Sequence, residues 1–125
     1  MAAASQSGAL VEVSAGRVLA RLLPSADGAR LRMEIEPGWH VMAHEPGASF
    51  VVPFLVEGPG LTGVRYPTPE ALPAPALGAT LWVYSGAATT DLAWGDGRRG
   101  PVEMLVQTCS ADICLPPEKV TLAAP

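Results

Sequence analysis

The sequence has little charge, and its few basic residues are scattered. Charged residues make up 16% of the 125 residues, against about 25% in an ordinary globular domain. Lys119 is the only lysine, and Arg98-Arg99 is the only pair of adjacent basic residues. With a net charge of −4, the chain lacks the clustered basic surface that holds a phosphate backbone. Nucleic acid is therefore excluded as an expected partner.

The chain also lacks segments that would span or target a membrane. No uninterrupted apolar run approaches the roughly 18 residues of a spanning helix. Met1–Leu10 has neither the basic start nor the apolar stretch of a signal peptide. The protein is then either cytosolic or a mature domain excised from a longer chain. We expect residues 1–8 to be a disordered leader, native or added, and residues 9–125 to form one domain.

Segments long enough for a helix are scarce, whereas strand-like segments are frequent. The chain has 13 glycines and 13 prolines, and apart from residues 102–115 no segment free of both exceeds eight residues. Arg30–Glu36 alternates apolar and charged residues with the period of a half-buried strand. Turn signals such as Pro37-Gly38 separate such segments. The further predicted strands are Val11–Val13, Arg17–Leu23, Trp39–His44, Val51–Val56, Leu81–Tyr84, Thr90–Trp94 and Val102–Thr108.

Apolar residues reach 49%, enough to bury a core. Many short strands at a spacing of about ten residues predict an antiparallel sandwich or barrel. The segment Tyr66–Gly78 differs, because it contains four prolines and little else with a structural preference. Proline donates no hydrogen bond to a sheet, so the segment cannot be a central strand. It is either a crossover at a sheet edge or a lid over a functional site.

Cys109 and Cys114 enclose only four residues. In an extended chain their Cα atoms would lie about 16 Å apart, whereas a disulfide requires about 7 Å or less. The chain must therefore reverse between them if they are bonded, and Ser110 and Asp112 are suitable turn residues. Three roles stay open for the pair: a redox couple, a structural disulfide in an interaction domain, or metal ligands. The spacing alone does not decide among them.

A second cluster of potential ligands keeps a metal site open. His40, Met42 and His44 alternate along the chain, so they share one face if the segment is a strand. Imidazole and thioether groups, together with the two thiolates, would suit copper. The alternative is that both histidines are ordinary solvent-facing residues. A copper-binding sandwich is therefore one of the hypotheses that the structure has to test.

Four segments in order resemble a known family, the N-terminal periplasmic domain of the thiol:disulfide interchange protein DsbD. The resemblance spans about residues 9–122, and its most specific part is the second cysteine with the Pro-Pro-Glu that follows it. The segments are Pro37-Gly38-Trp39-His40-Val41, His44-Glu45-Pro46-Gly47, Val106-Gln107-Thr108-Cys109 and Ile113-Cys114-Leu115-Pro116-Pro117-Glu118.

The resemblance implies an immunoglobulin-like antiparallel β-sandwich and a thiol:disulfide oxidoreductase module without a cofactor. It implies that the Cys109/Cys114 pair takes electrons from a thioredoxin-like domain, of the same or another protein, and reduces periplasmic partners. Those partners would include disulfide isomerases and thioredoxin-like proteins of cytochrome c maturation. The resemblance also implies a periplasmic location and a membrane-tethered reductase of which this chain is one domain, or else a free-standing relative.

Within the pair, the resemblance assigns the attack to Cys114 and the resolving step to Cys109. Asp112 would oppose thiolate formation, whereas Lys119 would favour it if it folded back. The implied surroundings of the site are His40, Met42, Gln107, Asp112, Pro116 and Glu118.

The family also shields its cysteines with a cap, for which Tyr66–Gly78 is the candidate. Pro69, Glu70 and Leu72 are its implied cap residues, with Leu72 as the apolar cover. Many relatives carry an aromatic cap residue and a longer spacing between the cysteines than the four residues found here. Because of these two departures, the resemblance implies the redox role of the cysteines more directly than it implies how the cap covers them.

Overall fold

The computed structural model describes residues 8–95 and 99–125. The predicted leader lies outside this range except for Gly8, and so do Asp96 and Gly97 of a predicted turn. No helix among the described residues is long and apolar enough to cross a membrane. The strands of the described residues are β1 (Val11–Val13), β2 (Val18–Ser25), β3 (Gly28–Ile35), β4 (His40–Met42), β5 (Leu55–Glu57), β6 (Leu61–Arg65), β7 (Glu70–Ala74), β8 (Ala79–Tyr84), β9 (Ala87–Trp94), β10 (Val102–Val106), β11 (Thr108–Cys109) and β12 (Glu118–Leu122). A short 3-10 helix, Pro75–Leu77, joins β7 to β8.

The strands form three antiparallel sheets, which confirms the predicted all-β antiparallel class. One sheet has the order β1-β2-β3-β9-β6, and a second has the order β12-β10-β5. The third, with the order β11-β4-β8-β7, carries the first cysteine at the end of β11. Site residues that are far apart in the sequence are thereby brought side by side.

The alternation in β3 shows why these residues form strands. Leu31, Met33 and Ile35 are buried, whereas Arg32 and Glu34 between them are exposed. β3 pairs with β2 on one side and with β9 on the other, so its apolar face lies in the middle of the main core. A slip of one residue in the strand pairing would turn all of these apolar side chains toward water, so their burial fixes the register.

A smaller apolar cluster lies apart from the main core and includes the first cysteine. Its buried members, which we call the Cys109 cluster, are Met42, Val51, Leu81, Val83 and Cys109. Three of its five residues come from β4 and β8 of the four-stranded sheet. The cluster is therefore part of the sheet that carries the disulfide.

One predicted strand differs from the structure near this cluster, and two strands of the main core have no counterpart in the sequence predictions. The predicted strand Val51–Val56 is reduced to Leu55–Glu57, because the Val52 N–H donates to the side chain of Gln107 (2.8 Å) instead of to a neighbouring strand. The strands Leu61–Arg65 and Glu118–Leu122 were not predicted. In the first of them, Gly63 and a shift of register after Leu61 hide the alternation.

The proline-rich segment Tyr66–Gly78 is more regular than a loop. Glu70–Ala74 forms the edge strand β7, which pairs with β8 over five residues, with Pro73 opposite Thr80. A strand at an edge tolerates proline because one side of its backbone needs no partner. The exclusion of a central strand is confirmed, because the part of the segment that forms a strand lies at the edge of its sheet.

Candidate functional site: a disulfide beside an apolar groove

The two cysteines are joined by a disulfide across a tight turn. The Cα atoms of Cys109 and Cys114 lie 4.0 Å apart. The Ser110 N–H donates to the Ile113 carbonyl (2.7 Å), and the N–H groups of Asp112 and Ile113 donate to Ser110 Oγ, each at 3.2 Å. The side chain of Ser110 therefore stabilises the turn that the spacing required, in the role predicted for it.

The two halves of the disulfide have different surroundings. Cys109 is only 2% exposed and packs in the Cys109 cluster with Met42 and its neighbours. Cys114 is exposed, and the chain after it returns to the sheet through the Leu115 N–H, which donates to the Thr108 carbonyl (2.9 Å). An approaching sulfur can therefore reach Cys114 more directly than Cys109.

A groove of about 900 Å³ runs beside the disulfide, and most of its walls are apolar. The turn around Trp39 forms one wall, and the segment from Leu72 to Leu77 forms another. Leu77 and Ile113 are 59% and 56% exposed at this groove. Sequence reasoning missed both residues, although a large apolar side chain in a short turn between two cysteines is a signal that could have identified Ile113.

β4 places the two predicted neighbours His40 and Met42 beside the pair. His40 is the cross-strand partner of Cys109 and lines the groove. Burial lowers the pKa of His40 below its ordinary value of 6.5, and the negative charge of Glu70 acts in the opposite direction. Met42 is fully buried in the Cys109 cluster. His40 thus supplies an imidazole that tends to be uncharged near neutral pH.

The predicted cap residues lie along β7 and just before it. Leu72 is partly buried, packs against the Cys109 cluster and also lines the groove. Glu70 begins β7 and is exposed, as is Pro69 before it. Of the three, only Leu72 has an apolar contact with the cluster that contains Cys109.

Gln107 connects the end of β10 to the site through two hydrogen bonds. Its carbonyl accepts from the Met42 N–H (3.0 Å), and its Oε1 accepts from the Val52 N–H (2.8 Å). The first bond holds β4, and the second holds the segment that brings Val51 into the Cys109 cluster. Gln107 therefore positions the walls of the site and does not line the groove.

The structure places two predicted residues away from the groove. Glu118 accepts a hydrogen bond from the Ser14 N–H (2.8 Å), so it connects β12 to the turn after β1. Pro116 is exposed and is not part of the groove wall. Lys119 Nζ lies 3.9 Å from Glu103 Oε1 on β10 and does not fold back toward the cysteines. The condition under which Lys119 would favour a thiolate is therefore not met.

The side chains of the copper hypothesis separate into two environments. The ring of His44 stacks on Tyr66 with 3.7 Å between centroids, and its Nδ1 lies 2.8 Å from the Phe54 carbonyl oxygen. His40 faces the groove instead. In the described part of the chain, no three His, Cys, Asp or Glu side chains come together in a way that could hold a metal ion. No observation on these residues favours copper.

Comparison with known proteins gives both a family and a fold. The family model described as "Thiol:disulfide interchange protein DsbD, N-terminal" matches residues 9–124. No curated protein matches the chain at a significant level.

Three solved structures are similar over most of the chain. The reduced DsbD N-terminal domain of Neisseria meningitidis has a TM-score of 0.64 at 15% identity, over 86% of this chain and 83% of that one. The N-terminal periplasmic domain of ScsB from Proteus mirabilis has a TM-score of 0.62 at 17% identity, over 94% and 53%. The complex of the DsbD and PilB N-terminal domains of N. meningitidis gives 0.60 at 15%, over 94% and 88%.

At these identities the structural likeness establishes the fold, which is the immunoglobulin-like sandwich expected from the sequence. The family model covers nearly the whole chain, including both cysteines and the groove beside them. The chain therefore belongs to the family of N-terminal domains of the thiol:disulfide interchange protein DsbD, which are thiol–disulfide exchange domains.

Proposed function

We propose that this domain is an electron relay that takes two electrons from a thioredoxin-like domain and uses them to reduce disulfides of periplasmic partners. The observation that carries the proposal is the difference between the two cysteines, since Cys114 is exposed at an apolar groove and Cys109 is buried in the wall of that groove. Such a pair can exchange with a partner through one sulfur and close again through the other.

The reaction proceeds by two displacements. The Cys114 thiolate attacks a partner disulfide, forms a mixed disulfide, and one partner sulfur leaves as a thiolate. The Cys109 sulfur, after losing its proton, then attacks Cys114 Sγ and releases the second partner sulfur. Two electrons pass to the partner, and the Cys109–Cys114 bond seen in the structure is re-formed. A thioredoxin-like dithiol reduces this bond again by the reverse sequence.

The groove supports the choice of a protein as substrate. Leu77 and Ile113 present large apolar surfaces beside the disulfide, where a docked partner would cover them. One of the similar structures is a complex of a DsbD N-terminal domain with a PilB N-terminal domain. We propose disulfide isomerases and thioredoxin-like proteins of cytochrome c maturation as the partners of this chain, within a larger membrane-tethered reductase that acts in the periplasm.

A cap over Cys109 completes the proposal. Leu72 on β7 packs against the Cys109 cluster, so moving β7 outward would uncover the buried sulfur. Because β7 pairs with β8 and with no other strand of the described residues, a partner can displace it without breaking a second pairing among them. Pro69 and Glu70 lie at the start of this segment, where the displacement would begin.

A redox titration tests the proposal against its two alternatives. The protein is equilibrated across a series of glutathione ratios, with and without Cu(I), and its free thiols are counted. A reversible two-electron transition, followed by reduction of a thioredoxin-like partner, supports the relay. A bond that resists reduction until the domain unfolds supports a structural disulfide. Tight binding of one copper ion that is lost in His40→Ala supports a copper protein.

A further inference from the structure

The proposed reaction names no group that accepts the thiol proton of Cys109, the more buried of the two cysteines. In the resolving step Cys109 must lose its thiol proton before it can attack Cys114. Burial of a thiol disfavours the thiolate, and Cys109 is only 2% exposed. The buried neighbours in the Cys109 cluster are Met42, Val51, Leu81 and Val83, none of which can accept a proton. A proton acceptor must therefore come from the adjacent groove.

His40 lies where such an acceptor is needed. In the antiparallel pair of β4 and β11, His40 is directly opposite Cys109. Opposite residues project from the same face, with Cβ atoms about 4.5–5.5 Å apart. Both residues also line the groove, so they border the same space. His40 is half-buried, and its burial favours the uncharged form that can accept a proton.

The other ionisable groups around His40 leave it as the best-placed acceptor. Glu70 on β7 acts on His40 through its charge. Glu36 lines the groove, but its carboxylate is engaged by Arg17 at 2.6 Å. Asp112 also lines the groove, but it lies in the exposed turn between the cysteines and not opposite Cys109. On β8, Tyr84 is opposite Val41, and its hydroxyl accepts the His44 N–H.

We infer that His40 accepts the proton of the Cys109 thiol when Cys109 resolves the mixed disulfide on Cys114. The imidazole takes the proton, the sulfur electron pair forms the bond to Cys114 Sγ, and the partner sulfur leaves with the electron pair of the broken bond. The imidazolium then returns the proton to the departing thiolate or to water. Glu70 favours the imidazolium by its charge and is a positioning residue, not an acceptor. This inference rests on the proposed function.

The aromatic disulfide DTNB separates the two displacements in one experiment. The reduced full chain releases one thionitrobenzoate when Cys114 attacks and a second when Cys109 resolves, so the absorbance rises in two phases. Because thionitrobenzoate leaves without needing a proton, the second phase reports loss of the Cys109 proton. In the wild type, the rate of the second phase should increase with pH, and its midpoint should lie below 6.5, the ordinary pKa of an imidazole.

His40→Gln is expected to leave the first phase unchanged and to slow the second at neutral pH by at least about tenfold. Its second phase should follow hydroxide concentration, so the difference from wild type disappears in alkaline solution. His44→Gln is the matched control, since His44 stacks on Tyr66 outside the groove and should leave both phases unchanged. Equal slowing of both phases in His40→Gln, or an unchanged pH profile, would overturn the inference.

Glu70→Gln provides a second test that keeps His40 in place. Removing the negative charge should move the midpoint of the second phase to lower pH, because Glu70 raises the pKa of His40. Glu34→Gln, which removes an exposed charge on β3, should not move it. A midpoint that stays in place in Glu70→Gln contradicts the inference. If the wild type shows no second phase, the proposed relay is wrong. If the second phase is the same in wild type, His40→Gln and Glu70→Gln, only the role of His40 is wrong.

Discussion

The two sides of the disulfide are built in different ways, although the two cysteines lie only five positions apart in the sequence. Cys109 ends a strand, faces His40 across the sheet and is buried in an apolar cluster. Cys114 follows a turn that depends on one serine side chain, and it is exposed. A single short segment therefore provides both an exposed sulfur and a buried one, because the strand packs Cys109 against the cluster and the turn leaves Cys114 exposed.

The largest expected effect comes from removing either sulfur. Cys114→Ala should abolish reduction of a thioredoxin-like partner and form no mixed disulfide, because the accessible sulfur is lost. Cys109→Ala should still attack but accumulate the mixed disulfide, because nothing resolves it. Non-reducing gels with mass spectrometry measure both products. If Cys114→Ala captured partners as well as Cys109→Ala does, the two sides would be equivalent.

The next effect tests whether the Cys109 cluster protects its sulfur as well as stabilising the fold. Met42→Ala should lower the free energy of unfolding by about 2–5 kcal/mol, since Met42 is fully buried. In a Cys114→Ala background it should also speed alkylation of Cys109, because the cavity opens toward the thiol.

Met33→Ala is the control for Met42→Ala, since Met33 is equally buried but lies in the main core. It should cost similar stability, measured by denaturant unfolding, and leave the alkylation rate unchanged. Equal alkylation rates in the two variants would show that the cluster does not shield Cys109.

A smaller effect is expected on the turn side. Ser110→Ala removes the acceptor for two exposed N–H groups, which should cost the oxidised form about 1 kcal/mol. Because the turn holds the sulfurs together, the reduction potential should become less negative by roughly 20 mV. Ser85→Ala, an exposed serine of the groove wall, is the control and should leave the potential unchanged. A Ser110→Ala potential equal to wild type would show that the turn does not favour the bond.

The smallest effect concerns pH and the strand side. Burial lowers the pKa of His40 in the folded protein, so below about pH 6.5 the unfolded chain binds more protons than the folded one. The contribution of His40 to stability is therefore fully present above the unfolded pKa and is lost as pH falls through the folded one. Wild type should lose more stability than His40→Gln between about pH 7 and pH 5. Parallel curves from denaturant unfolding would contradict this.

The fold was predictable where alternation is local. The apolar and charged residues of Arg30–Glu36 predict β3, and the Pro37-Gly38 turn is found with Gly38 at a φ of 86°. Strand predictions fail where side chains replace backbone pairing, as when Gln107 takes the Val52 N–H. The edge strand β7 is hidden by prolines, because sequence alone does not show which side of a strand remains unpaired.

The site was predictable in its chemistry but only partly in its placement. The family resemblance singled out residues that lie together in the structure, namely the Cys109/Cys114 pair, His40, Met42 and Leu72. A resemblance can do this because it carries long-range information that spacing does not. Glu118 belongs to the same motif, yet its carboxylate holds Ser14, since β12 directs it away from the groove. A motif identifies residues that occur together in the sequence, and only the pairing of strands determines which of them share a space.

One measurement tests the central claim most directly, namely that the exposed sulfur makes contact with the partner and the buried one resolves it. The reduced wild-type domain is mixed with an oxidised thioredoxin-like domain, quenched with acid at short times and mapped by peptide mass spectrometry. We predict a transient mixed disulfide through Cys114, followed by the intramolecular Cys109–Cys114 bond. A mixed disulfide that forms through Cys109, or equally through both cysteines, would contradict the account.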